Sequence, residues 1–128
     1  ISNFSFNSLT FCGHPSMSTK YINPVLGRFE PDLDVALHDA DVIMTLRIQY
    51  ERFEETLDLD LEEYKQAYEL TSERLEQAKG DAIVMHPGPV NYIEISESVY
   101  QCEQSVIRTQ ISNGVAIRMA VLSRFLSS

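Results

Sequence analysis

Two short stretches of this 128-residue chain place side chains where chemistry could use them. In "VIMTLRIQ" an apolar run ends at Leu46 and leads into Arg47-Ile48-Gln49. In "AIVMHPGP" another ends at Met85 and leads into His86-Pro87-Gly88-Pro89. Arg47 offers a planar, permanently charged fork that matches a carboxylate, and Gln49, two residues on, projects to the same side of an extended segment. The two together would hold a small anionic molecule. An exposed ion pair with Glu51 or another surface acid is the competing use of Arg47. In the second stretch Pro87 and Pro89 have no N–H, so the loop is poor in donors and rich in fixed carbonyls. Gly88 brings the main chain close to a ligand because no Cβ stands in the way. Such a loop suits the N–H2 of an amide or carbamoyl group; a plain rigid turn after a strand is the alternative.

Other chemistry-bearing residues form no comparable pattern. His14, His38 and His86 are scattered without metal-ligand spacing. The acidic run "DLDLEEY" lacks the glycine and register of a calcium loop and reads as a solvated face. No GxGxxG, GxxxxGK[ST] or GxSxG occurs, so nucleotide-binding and serine-hydrolase readings have no support.

The elements that must position the two stretches follow from pattern. "SLTFCG" reads as a strand ending at Gly13, followed by the turn-rich "HPSMSTKYINPVLGRFEPD". A short helix starts near Asp32 or Asp34 and buries Leu33, Ala36 and Leu37. "DVIMTL" then has the look of a strand buried on both faces. "RIQYERFEETLDLD" is polar and aperiodic, a long loop. Leu61, Tyr64 and Tyr68 form a helical stripe, and Thr71 and Ser72 can cap a second helix, "SERLEQAKG", with Glu73 in its first turn. "AIVMH" is the next buried strand. After the Pro-Gly-Pro loop, "IEI" reads as extended, "SESVYQCEQ" as a short capped helix, and the segment from Ser105 onward as a long amphipathic helix. Its apolar coverage predicts a largely packed element. Strands alternating with helices imply a mainly parallel sheet covered on both faces, with its ligand site beyond the strand carboxyl ends.

Bulk properties narrow the partners. At this length and 44% hydrophobic content the chain supports one core, hence one domain over residues 1–128. The balance of 19 Asp+Glu against 10 Lys+Arg argues against nucleic acid, whose backbone requires clustered cations. An anionic substrate would therefore need a local basic pocket. No stretch approaches the roughly 18 apolar residues of a membrane helix, so no membrane partner is expected. Cys12 and Cys102 form no disulfide framework, which fits a reducing, cytoplasmic setting.

Taken in order, "DADVIMTLRIQYER", "YELTSERLEQAKGDAIVMHPGPVN" and "IEISESVYQCEQSVIRTQISNGVAIRMAVL" resemble the carboxyl-terminal, aspartate-binding domain of the aspartate carbamoyltransferase catalytic chain. The resemblance runs from Asp34 to Leu126. "LRIQYER" followed by "HPGP" is more specific than either motif alone. It favours the aspartate enzymes over their ornithine relatives, whose corresponding loop reads HCLP and whose cationic substrate Arg47 would repel. The fold this implies is α/β, a three-layer α/β/α arrangement with a mainly parallel, Rossmann-like sheet.

The resemblance also implies roles. Arg47 and Gln49 would hold the carboxylates of L-aspartate, while Glu51 and Arg52 would orient their loop as two domains close. His86 would orient the loop in which Pro87, Gly88 and Pro89 contact carbamoyl phosphate, with the Pro87 and Gly88 carbonyls facing the carbamoyl amine and a cis peptide before Pro89. The implied reaction transfers the carbamoyl group to L-aspartate in de novo pyrimidine biosynthesis, without a metal or organic cofactor, in an enzyme whose catalytic chains form homotrimers. The family's S-T-R-T-type phosphate motif and its carbamoyl phosphate domain do not occur in this sequence, so the chain is expected to supply half of a site and to turn over little alone. A non-catalytic binding or interaction module derived from the same fold is the alternative. Tyr92 stands where the family's VNR-x-E-I pattern has arginine. The last helix crosses to the amino-terminal domain in the whole enzymes, so its Val115 to Leu126 surface is expected to be exposed or self-associated here.

Overall fold

The computed structural model describes residues 8–15, 27–48 and 60–126. Strand β1, Thr10–Cys12, pairs in parallel with β2, Arg28–Glu30; strand β3, Val42–Met44, pairs in parallel with β4, Ile83–Met85. Between β2 and β3 lies helix α1, Leu33–Leu37. Parallel neighbours need a crossover, and the one from β3 to β4 carries helices α2, Leu61–Tyr68, and α3, Ser72–Leu75. Helices α4, Glu97–Gln101, and α5, Ile107–Leu126, follow β4. The backbone of Val84 also bonds on its other side, donating to Gln104 O and accepting from Val106 N–H, both at 2.9 Å. Strand β4 is thus flanked on both edges. A further parallel bridge joins Leu70 to Ile95, so "IEI" is extended where it pairs. Parallel strands and intervening helices make the chain an α/β protein.

Local chemistry explains where the helices begin. Asp32 accepts from the N–H groups of Asp34 and Val35, Asp60 from Glu62, Thr71 from Arg74 and Ser96 from Val99. Each side chain satisfies a helix-end donor that has no intrahelical partner. Helix α3 is a single turn rather than the whole of "SERLEQAKG". Beyond it the Gln77 and Ala78 N–H groups bond three residues back, to Arg74 and Leu75, which winds the chain into tighter turns.

The core gathers Leu37, Ile43, Leu70, Leu75, Val84, Ile95, Val99 and Ile107. Two expectations about burial fail. Neither strand is buried throughout: Ile43 of β3 and Val84 of β4 are buried, whereas Val42 and Met44 are about half exposed and Ile83 is also exposed. Neighbouring residues of a strand face opposite ways, and the core cluster receives only the Ile43 and Val84 sides. Nor is α5 largely packed. Ile107 at its start is fully buried, but Ile117, Met119, Leu122, Phe125 and Leu126 are all exposed, the last at 82%. A helix of 20 residues is about 30 Å long, whereas a three-residue strand spans only about 10 Å, so α5 outruns the strand it packs on. The exposure expected over Val115 to Leu126 is therefore present. Among the described residues no helix is long and apolar enough to cross a membrane.

Candidate functional site

Met44 is paired with Met85, so the chain leaves β3 and β4 at the same end of the ladder. Thr45 N–H continues the pairing by donating to Met85 O at 3.0 Å. Leu46 and Arg47 then turn to solvent, and Ile48 is buried against Tyr64 with Tyr68 and Ile93 around them. Burial, with smaller contributions from Tyr68, Cys12 and Glu94, pushes the Tyr64 hydroxyl up to about 12, so it packs as a neutral group. Asn91 secures the exit from the other strand: its Nδ2 donates to Ile48 O at 3.3 Å, and its Oδ1 accepts from Ile93 N–H at 3.3 Å. Arg47 is thus held between a neighbour facing solvent and a neighbour pinned in a small core. It is exposed and has no ion pair with any described residue. Gln49, Glu51 and Arg52, the other residues expected on this segment, lie outside the described residues.

The β4 exit is secured differently. His86 is completely buried, and its backbone N–H donates to Gln110 Oε1 on α5 at 2.9 Å. Its ring bonds at both nitrogens: Nδ1 accepts the Gly88 N–H at 2.8 Å, and Nε2 lies 2.8 Å from Glu94 Oε1. Gly88 has φ +72°, in the left-handed region, and a Cβ there would stand 3.1 Å from Ile111 Cδ1. Both facts favour glycine. The Gly88-Pro89 peptide is cis, and Pro87 and Pro89 are exposed. The donor-poor character read from the two prolines is therefore carried further than expected, because the one remaining N–H of residues 87–89 is taken by the histidine ring.

Several other cations are committed to structure. Arg74 donates to Asp34 Oδ1, Glu69 O and Gln66 O, and Lys79 to Asp41 Oδ1. Arg108 lies over the Tyr100 ring at 5.4 Å, and Tyr100 meets Tyr92 edge-on at 5.8 Å. Tyr92, in the position where the resemblance has arginine, takes φ +58°. Even so, Asn91 and Glu94 on either side of it reach Ile48 and His86.

Sequence reading missed Asn91, Glu94 and Gln110. Only Glu94 carried a signal, since an acid between Ile93 and Ile95 demands a partner once that segment is buried. Gln110 reaches His86 across 24 residues and Asn91 reaches Ile48 across 43, with no local motif to announce either contact.

The sequence profile described as "Aspartate/ornithine carbamoyltransferase, Asp/Orn binding domain" matches residues 22–125. The chain belongs to this family. The aspartate carbamoyltransferase catalytic subunit of Coxiella burnetii is 51% identical over 96 residues, covering 74% of this chain and 30% of that protein. Among solved structures, aspartate transcarbamoylase from Trypanosoma cruzi in complex with carbamoyl phosphate is 33% identical with a TM-score of 0.63, covering 75% of this chain and 30% of that one. Ornithine carbamoyltransferase from Pyrococcus furiosus, at 24% identity and TM-score 0.65 over 76% of this chain and 31% of that one, shares the fold. The Asp/Orn-binding domain seen here thus spans less than a third of the length of these carbamoyltransferases.

Proposed function

We propose that this chain supplies the aspartate-binding half of an aspartate carbamoyltransferase site, in which a carbamoyl group passes from carbamoyl phosphate to L-aspartate. The observation that carries the reading is the shared rim: on one strand exit an exposed arginine without an ion pair among the described residues, and on its neighbour residues 87–89, whose one N–H bonds the His86 ring. Arg47, with Gln49, binds the carboxylates of L-aspartate through paired donors. The carbonyls of Pro87 and Gly88 accept from the carbamoyl N–H2, with Pro89 shaping the loop and His86 holding it. Glu51 and Arg52 orient the arginine segment.

In the reaction the aspartate amine donates its lone pair to the carbamoyl carbon, the bond from that carbon to the phosphate oxygen breaks, and the amine proton leaves with the phosphate. The products are N-carbamoyl-L-aspartate and inorganic phosphate, a step of pyrimidine biosynthesis. The chemistry as proposed uses no metal or organic cofactor. Gathering two anions on an acidic chain depends on focused cations, and holding reactants at attack distance can supply about 7–11 kcal/mol of the barrier. The phosphate-binding residues belong to a carbamoyl phosphate domain, and the assembled enzyme is a cytoplasmic homotrimer.

Calorimetric titration with N-(phosphonacetyl)-L-aspartate, the compound bound to the Trypanosoma cruzi enzyme in another solved structure, tests the proposal. Binding by the chain supplemented with a relative's carbamoyl phosphate domain, and its loss in Arg47→Ala, is the expected result. Absence of binding by the supplemented wild-type chain would instead favour a non-catalytic module.

A further inference from the structure

Glu94 has no part in the chemistry above, yet its placement is costly. It is 4% exposed, and its Oε2 is buried without a hydrogen-bond partner among the described residues. A carboxylate is not held in such a position unless its other oxygen does something that matters. That oxygen, Oε1, faces His86 Nε2 at 2.8 Å, with the Asn91 N–H at 3.5 Å.

The far side of the ring decides what passes between them. Gly88 N–H points at Nδ1, and a backbone amide can only donate, so Nδ1 carries no proton. An imidazole must carry at least one, which therefore sits on Nε2 and is donated to Glu94. An imidazolium would set two donors against each other at Nδ1, and the opposite tautomer would do the same. The hydrogen-bond network thus assigns one protonation state to His86, and the acceptor that selects it is Glu94. The remaining polar contact of His86 is neutral: Gln110 takes its backbone N–H and does not touch the ring.

The consequence reaches the surface through Gly88. Pro87 and Pro89 have no N–H, so Gly88 holds the one main-chain donor of residues 87–89. While Nδ1 accepts that proton, the main chain of residues 87–89 offers carbonyl oxygens alone. If Nδ1 were protonated, the Gly88 N–H would be released toward the rim, where it would oppose an incoming N–H2 group donor to donor.

We propose that Glu94 is a positioning residue: it fixes the Nε2–H tautomer of His86, which keeps the Gly88 N–H out of the binding rim and leaves the Pro-Gly-Pro loop as a surface of acceptors. This deepens the proposed function, and its ligand-facing half rests on that reading.

The test is made on the full chain by nitrogen-15 shifts of the His86 ring, which distinguish the tautomers, and by hydrogen exchange at the Gly88 amide. Wild type should show a proton on Nε2 only and a protected Gly88 amide. Glu94→Gln, which keeps an acceptor oxygen, should retain both. Glu94→Ala should give a mixed ring and exchange faster by about tenfold or more, the effect of losing a charge-assisted hydrogen bond. A wild-type ring protonated at Nδ1, or a folded Glu94→Ala with unchanged tautomer and protection, would overturn the proposal. Where the alanine variant does not fold, a wild-type ring protonated at Nδ1 still overturns the proposal.

With the carbamoyl phosphate domain supplied, carbamoyl phosphate, which carries the N–H2 group, should bind Glu94→Ala about tenfold more weakly than Glu94→Gln. If the wild-type tautomer is as assigned but the compound does not bind, the functional reading fails and the positioning of the loop stands.

Discussion

The two strand exits that meet at the rim are built on opposite principles. The β4 exit is internally saturated: His86 is buried, both of its ring nitrogens are engaged, its N–H is taken by Gln110, and Gly88 is in a backbone conformation that suits glycine. Among the described residues the β3 exit is held only at its edges, by Thr45 on Met85 and by Ile48 under Tyr64 and Asn91, and it leaves Arg47 in solvent. A loop that offers carbonyls must fix them, because a carbonyl's direction is set by the backbone. A guanidinium on a long side chain can find its partner from a looser base. The contrast predicts that changes at the β4 exit act chiefly on stability, and changes at Arg47 on binding.

His86→Ala should have the largest effect. It empties a fully buried side-chain site and leaves Glu94 Oε1 without the ring donor, a loss of about 2–5 kcal/mol that urea denaturation would register. If the variant keeps wild-type stability, the β4 exit is not the rigid member of the pair. Gly88→Ala comes next, at about 1–2 kcal/mol for a left-handed residue that acquires a Cβ. The 3.1 Å contact is to the end of the Ile111 side chain, which can move, so adding Ile111→Ala should recover little. Full recovery in that double variant would place the cost in packing rather than in the backbone.

Alkaline pH separates the anchor of the β3 exit. The Tyr64 hydroxyl is raised by burial from its ordinary 10.0 to about 12. Below the lower value both folded and unfolded chains hold the proton, and between the two only the folded chain does. Stability should therefore fall as pH rises from about 10 to about 12, and the decline should be shallower in Tyr64→Phe. Equal slopes in melting experiments on the two proteins would remove Tyr64 from the explanation. The smallest effect on stability belongs to Arg47→Ala, within about 0.5 kcal/mol for an exposed side chain without an ion pair among the described residues. If it destabilised the fold as much as His86→Ala does, the two exits would not differ in kind.

Much of this arrangement could be read before any coordinates. Asp32, Thr71 and Ser96 announced helix starts because capping is a contact between near neighbours. The runs "VIM" and "IVM" announced strands, but not how many of their faces are covered. Burial on both sides depends on what lies across the sheet, and a short apolar run looks the same whether one face is covered or two. Helix α5 teaches the same lesson at larger scale. Its apolar pattern is continuous, yet only Ile107 is buried, because the elements it packs on end long before it does.

What these 128 residues determined by themselves is the chemistry that covalent structure carries: two prolines without N–H groups, a glycine free to take positive φ, a permanent cation at Arg47, and the order of motifs that marks the family. Tertiary structure alone decided which groups close the circuit. Glu94 on His86, His86 on Gly88, Gln110 on the His86 backbone and Asn91 on Ile48 join residues up to 43 positions apart. Local propensity acts over a few residues, whereas the partner of a buried polar group is whichever acceptor or donor the packed core brings within hydrogen-bond reach, and only the folded chain makes that choice.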